Sequence, residues 1–482
     1  MRANALIGGR WASAQSGRTF EVRSPMDGSV VGMVANCASA DTRLAIEAAA
    51  VALERWSRAP AEQRASILLK ARDLMLEHED ELARLMARET GKPVTEAHGE
   101  VAYAAGFLGY FADEGGRPIE EDVTPPIPGK LLRAVRQPVG VAGLITVWNF
   151  PTAGITRPLG AALATGCTAV VKPAEQAPHC AAAVVDILQQ AGLAPGVVNL
   201  VPTSQPEPVV RELVDSPIVR KINFTGSAAV GKALMRDCAR HVKRITLELG
   251  GHAPFIVFAD ADLDAAVEGA VRSKFRNGGQ TCIALNRIYV EAPVMRVFTE
   301  RLVERVAALK LGDPLDDEVR VGPLIDSSAV SRLEGQVADA VGRGARVLIG
   351  GRRPEGVGVA DGFYFEPTVL AGATDDMAVM REETFGPLAP IAAFSDEEEV
   401  IARANALPVG LAGFVYTGDR ARAKRVSERL EFGIVGVNDA LPGAPQASFG
   451  GVKESGIGKE GGRLGLEEFV ETKLVSEGLA GD

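Results

Sequence analysis

The stretch FRNGGQTCIALNR, Phe275 to Arg287, surrounds Cys282 with small residues, amides and a hydroxyl, and places Arg276 six positions before it. Five cysteines occur in 482 residues, at 37, 167, 180, 238 and 282, and no two have CxxC spacing. A free cysteine commonly packs as a small hydrophobe. NGGQTC offers no apolar side chain, so this thiol is expected to meet backbone N–H groups, whose dipoles favour the nucleophilic thiolate. Covalent cysteine chemistry also needs a base. None of the five histidines (78, 98, 179, 241, 252) is evidently placed for that, which leaves carboxylates. TLELGG puts Glu248 at the end of an apolar strand. Desolvation there raises a carboxyl toward a useful general base; an N-cap or surface glutamate is the plainer alternative. VWNFP ends another strand with Asn149, whose amide is a neutral donor suited to an oxyanion.

Other pieces suit a nucleotide. INFTGSAAVGKA reads as a strand, then Gly226, then Gly231 opening a helix. Glycines there let a ligand approach the backbone at a helix N-terminus, although the pattern is not GxGxxG and packing would explain it equally. VVKPAE ends a strand with Lys172, which can reach a phosphate or ribose, and Glu175, which can take two ribose hydroxyls. EETFGP offers Glu383 and Phe385.

The elements that must carry these residues alternate. ADTRLAIEAAAVALERW has helical spacing with Asp41 as N-cap and stops before Pro60; a second helical stretch stops at Gly91 and Pro93. From about 139, strand and helix alternate as far as RITLEL. That pattern predicts a parallel sheet with helices on both faces and ligands at the strands' carboxyl ends. A helical run over 262–275 leads to Cys282. A second alternating block follows, with NRIYVEA, GARVLIGG, YFEPTVL, PLAPIAAF and GLAGFVYT. DVTPPIPGKLLRAVRQP interrupts the first block with a Pro-rich and then β-like segment, and EEFVETKLVSEGL is also strand-like.

Composition narrows the partners. Net charge is −10, which disfavours nucleic acid as the main ligand. The unpaired cysteines predict no disulfide framework, and no HxxxH pair suggests a metal. The most apolar region, 139–171, is broken by Pro151, Arg157, Pro158 and glycines, so no membrane span is expected. MRANALIGGRWASAQSG has no apolar core of a signal peptide. A cytoplasmic protein is the expectation.

In combination, TVWNFP, VVKPAE, FTGS, LELGG, GGQTC, EETFGP and FGGVKESGIGKEGG occur in this order along nearly the whole chain. Together they resemble the NAD(P)-dependent aldehyde dehydrogenase superfamily. The resemblance implies that Cys282 attacks an aldehyde carbonyl, that the Asn149 amide and the Cys282 N–H hold the oxyanion, and that Glu248 activates the hydrolytic water. It implies that Trp148, Lys172, Glu175, Gly226, Ser227, Glu383 and Phe385 line the dinucleotide. Glu175 would repel a 2′-phosphate, which favours NAD, with NADP possible. The implied α/β fold has a Rossmann-like cofactor domain (1–119 and 139–250), a catalytic domain (251–446) and a small β oligomerisation extension (120–138 and 467–482), in a homodimer or homotetramer.

Within the superfamily, ITRPLGAALATGCTAVVKPAE, SKFRNGGQTC and FGGVKESGIGKEGG look most like succinate-semialdehyde dehydrogenases. In that group two arginines grip the substrate's distal carboxylate, and they match Arg157 and Arg276. A helix-surface charge and a helix C-terminal charge are the respective alternatives. Two departures stand out. Ala284 sits where several relatives have a second, redox-active cysteine, and Gly443 falls where some have a carboxylate-binding serine. The semialdehydes of glutarate and 2-oxoglutarate, and sulfolactaldehyde, therefore stay open as substrates. So do a CoA-acylating or acyl-phosphate-reducing relative, which would not need Glu248, and a non-catalytic binding protein on the same fold.

Overall fold

Short apolar runs without polar alternation become strands buried on both faces, as parallel sheets require. Val141–Ile145, Thr168–Lys172 and Ala253–Val257 are buried at every position. The computed structural model describes residues 4–116, 120–123, 129–356 and 362–479. The ends of the expected extension and cofactor segments, at 1–3, 117–119, 124–128 and 480–482, lie outside the described residues.

In the first sheet Val198–Leu200, Thr168–Lys172, Val141–Ile145, Val219–Gly226 and Arg244–Leu249 run parallel, in that spatial order. Antiparallel strands close both edges: Ala5–Ile7 and Arg10–Ala12 on one side, Gly456–Ile457 on the other. From Val141–Ile145 the chain builds outward through two strands, then crosses back to add Val219–Gly226 on the opposite side. Connections therefore leave in opposite directions on either side of this pair. A crevice opens at its carboxyl end, where doubly wound sheets bind ligands.

The second sheet has the order Arg346–Ile349, Thr368–Ala371, Leu388–Phe394, Leu285–Glu291, Ala253–Val257, Ala412–Tyr416 and Ile434–Val437. Only Arg346–Ile349 pairs antiparallel. Three residues join Leu249 of the first sheet to Ala253 of the second. The carboxyl edge of one sheet thus meets the amino edge of the other. Glu120–Val123, Lys130–Pro138 and Val470–Gly478 make a separate antiparallel three-stranded sheet.

Helices Ser39–Trp56 and Ala153–Thr165 pack on the first sheet, and Ala61–Glu77, Glu79–Thr90 and Val94–Glu114 form a further layer against Ala153–Thr165 and Pro178–Gln190. The second expected helical stretch divides at His78. Asp41 is not the N-cap, which is Ala38. Asp41 stands three residues inside the helix, and its carboxylate accepts from the N–H groups of Ala38 and Gln15. An acid in the first turn satisfies the same orphan donors from the other side. Gly91, at φ +75°, ends Glu79–Thr90 as expected. Among the described residues no helix is long and apolar enough to cross a membrane.

Candidate active site

A cavity of about 730 Å³ occupies the junction of the two sheets. Its wall brings together Trp148, Asn149, Arg157, Gly226, Ser227, Glu248, Arg276, Cys282, Glu383 and Phe385 from segments far apart in sequence. Lys172 and Glu175 are not in that wall. They lie beyond the carboxyl end of Thr168–Lys172, ion-paired to each other at 3.0 Å.

The loop that carries Cys282 starts where helix Leu263–Phe275 ends. Asn277, Gly278 and Gly279 have φ of +52°, +60° and +76° in succession. Such a left-handed run suits Asn and Gly and little else. A Cβ on Gly279 would sit 2.2 Å from the Gly386 carbonyl oxygen, so this glycine also admits the loop carrying Glu383 and Phe385. The run turns the chain sharply and sets Cys282 in the cavity wall before strand Leu285–Glu291.

Asn149 lies in the turn between strand Val141–Ile145 and helix Ala153–Thr165 and is buried. Its amide donates one hydrogen bond, 3.0 Å, to the Gln280 carbonyl, and the second amide hydrogen is left for a ligand. Its own carbonyl accepts from Lys92 Nζ at 2.9 Å and Asn277 Nδ2 at 3.1 Å. Lys92 is ion-paired with buried Glu100, whose other oxygen accepts from Thr152 and Ala153 N–H groups at the start of Ala153–Thr165. Glu96 accepts from the Asn277 N–H at 2.6 Å. This scaffold of Lys92, Glu96 and Glu100 went unread in the sequence. Its signal was available: Glu100 interrupts the apolar stripe of Ala97, Val101 and Ala104.

Glu248 is the penultimate residue of strand Arg244–Leu249 and is buried, so neither a surface nor a capping role applies. One of its oxygens has no partner. Burial chiefly pushes its carboxyl up to about 8; Arg157 pulls against this, and Glu460 and Glu383 add to it. Cys282 corrects the sequence reading. It is half-buried against the apolar cluster of the second sheet rather than ringed by N–H dipoles alone. Burial and the facing Glu248 push its thiol well above the usual value, against the pull of Arg157 and Arg276. These surroundings favour the thiol form of Cys282 over the thiolate.

The two arginines differ. Arg157 Nη2 is 2.5 Å from Glu460, and its guanidinium lies 4.4 Å from the Phe449 ring centre. Burial disfavours its charge, but Glu460 and Glu248 more than offset this, so it stays firmly protonated. Arg276 lies 5.3 Å from the Phe150 ring centre, with a buried, unpartnered Nε and no ion pair among the described residues. Gly443 is at the cavity wall, where a Cβ would stand 3.3 Å from the Tyr103 hydroxyl. A serine side chain there would press against the Tyr103 hydroxyl. Ala284 is buried, and its methyl group cannot bond to Cys282.

The opposite side of the cavity fits a dinucleotide. Ser227 caps helix Ala228–Cys238, whose first N–H groups face outward from the carboxyl end of Val219–Gly226. At Gly226 a Cβ would meet the Phe224 ring at 2.4 Å, so the backbone is bare there. Glu383 accepts one hydrogen bond, from the Gly251 N–H at 3.2 Å, and keeps acceptor capacity for a ribose hydroxyl. Phe385 holds φ +45°, rare for an aromatic residue, with its ring edge-on to Trp148 at 5.7 Å. Among the described residues no cluster of His, Cys, Asp and Glu could hold a metal ion.

Comparison with known proteins agrees with this arrangement. The profile described as the aldehyde dehydrogenase family matches residues 11–475. The chain is 48% identical over 477 residues to a glutarate-semialdehyde dehydrogenase of Pseudomonas aeruginosa, covering 99% of this chain and 98% of that protein. It is 48% identical over 478 residues to the NADP(+) succinate-semialdehyde dehydrogenase GabD of Escherichia coli, again covering 99% and 98%. A crystal structure of succinate-semialdehyde dehydrogenase from Burkholderia pseudomallei superposes with a TM-score of 0.97 at 46% identity, covering 99% and 98%. Betaine aldehyde dehydrogenase from Staphylococcus aureus, in complex with NAD+, superposes with a TM-score of 0.97 at 34% identity, covering 100% and 96%.

Proposed function

The chain belongs to the aldehyde dehydrogenase family, and from that premise we propose that it oxidises a small anionic aldehyde, succinate semialdehyde foremost, to the carboxylic acid. Cys282 gives its proton to Glu248, and Sγ bonds to the aldehyde carbon. Raised to about 8, the Glu248 carboxylate is a stronger base toward the neighbouring thiol than an ordinary glutamate. The free hydrogen of the Asn149 amide and the Cys282 N–H receive the developing oxyanion. When bound, a nicotinamide dinucleotide supplies the hydride acceptor that converts the adduct on Cys282 to a thioester. Glu248 passes the thiol's proton to solvent and then takes one from water; the hydroxyl adds to the thioester carbon, the carbon–sulfur bond breaks, and that proton returns to Sγ as the acid leaves and Cys282 recovers its thiol.

The substrate class rests on one observation: Arg276, half-buried, with an unpartnered Nε and no ion pair among the described residues, lines the cavity that holds Cys282. A guanidinium held off by no carboxylate is an anchor for one on the ligand. Arg157 contributes as a cation already shared with Glu460. Glutarate semialdehyde, which gives one relative its name, fits the same logic with one more methylene. Glu175 favours NAD by repelling a 2′-phosphate, while Lys172 beside it tempers that repulsion. The separate three-stranded sheet, with Val470–Gly478 at its edge and Leu474 exposed, suits pairing between subunits of a homo-oligomer. Initial rates with a series of acid-terminated aldehydes and their neutral counterparts, each with NAD and NADP, test the reading. Preference for the neutral members would overturn the substrate assignment.

A further inference from the structure

Lys274 is fully buried, and no carboxylate reaches it within ion-pair distance among the described residues. Its ammonium donates to Asn286 Oδ1 at 2.7 Å and to Thr384 Oγ1 at 2.6 Å, and Thr384 Oγ1 donates to the same Asn286 oxygen at 2.5 Å. Three polar groups from the helix before Cys282, the strand after it and the Glu383–Phe385 loop thus close one triangle. Arg332 holds the other side of that loop by donating to the Thr384 carbonyl at 3.2 Å. Thr384 stands between the two residues that line the cofactor side, and Phe385 needs support for its left-handed backbone. A buried ammonium on two neutral oxygens is costly unless a nearby charge answers it, and the charge it faces is Glu383.

We propose that Lys274 is the positioning residue of the cofactor loop, pinning Thr384 and supplying the counter-charge that keeps Glu383 an acceptor for the dinucleotide. The inference rests on the cofactor role given above to Glu383 and Phe385. Burial pushes Glu383 up to about 7, against the Gly251 N–H and the cations Arg332 and Lys274. Burial pushes Lys274 down to about 7 against the pull of Glu383. The other titratable groups facing the pair are His252, which burial and the cations Arg287 and Lys274 hold neutral, and Glu248 and Cys282 across the cavity. Without the Lys274 cation, Glu383 keeps its proton to higher pH. Each unit of that displacement is about a tenfold loss of the ionised form on the acid side.

Calorimetric titration with NAD from pH 6 to 9 tests this on the wild type and Lys274→Met. The expected result is a loss of about tenfold in affinity at pH 6 to 7 that shrinks toward pH 9, where Glu383 ionises unaided. In the cofactor-free protein, hydrogen exchange at 383–386 should quicken in the variant. If Lys274→Met does not fold, Lys274→Gln, which keeps hydrogen-bonding capacity toward Asn286 and Thr384 but not the charge, should show the same acid-side loss. Equal loss at every pH, or none, overturns the proposal. A wild type that binds no dinucleotide refutes the cofactor assignment beneath it, which is a different result.

Discussion

Deacylation is expected to follow the ionisation of Glu248 and to respond to Arg157 in a defined direction. The Glu248 carboxyl is raised to about 8. At pH 6, two units below, about one hundredth of it is ionised, so hydrolysis of the thioester should run roughly a hundredfold below its alkaline plateau. Arg157 is the main cation pulling that carboxyl down. Arg157→Leu removes the pull, and the midpoint should move up by about one unit. At pH 7.5 that is a several-fold slower deacylation, although position 157 is not the base. The measurement must isolate the step, because the raised Cys282 thiol makes acylation rise with pH as well. Acyl-enzyme is formed by rapid mixing and followed by intact-mass spectrometry as it decays, from pH 6 to 9. Glu248→Gln should leave acyl-enzyme standing at every pH. A flat wild-type profile, or a midpoint that falls or stays in Arg157→Leu, would refute the assignment of base and cation.

Cys282→Ala should abolish NADH formation while calorimetry still shows NAD binding; oxidation by this variant would remove the nucleophile from the scheme. Arg276→Leu should raise KM for acid-terminated aldehydes about ten- to hundredfold, the worth of one charged hydrogen bond, and leave neutral aldehydes nearly unchanged. A parallel rise for both would count against an anion anchor. Glu175→Gln should raise kcat/KM with NADP relative to NAD, since a repelling charge is lost and Lys172 is freed from its partner; an unchanged ratio would place cofactor choice elsewhere.

What the sequence discloses here is whatever one segment can state by itself. The runs CTAVVKP, VRKINF and RITLEL declare buried strands because their apolar character is local, and each strand stands where expected. Asn149, Glu248 and Cys282 announce themselves by chemistry at strand and turn ends. Charge answered across the fold is invisible. Arg157 reads as an anchor until Glu460, about three hundred positions later, takes one of its donors. The Cys282 thiol reads as activated until two carboxylates close in from other segments. Lys92 and Lys274 look like surface lysines until their partners are seen, although Lys274 shares a stripe with Val267, Ala270 and Val271 that should have marked it as buried.

The wall behind the base is built late. Gly456 pairs with Glu248 itself, Ser455 receives the Leu249 N–H and donates to the Gly250 carbonyl, and Glu460 anchors Arg157 and Asn223. A chain that ends at Gly450 holds the whole second sheet, all of the first but its Gly456–Ile457 edge, and the thiol, yet lacks this wall. The cavity wall is complete only with residues 455–460 in place. A chain truncated at Gly450 should therefore form no NADH from aldehydes, however well its sheets have formed.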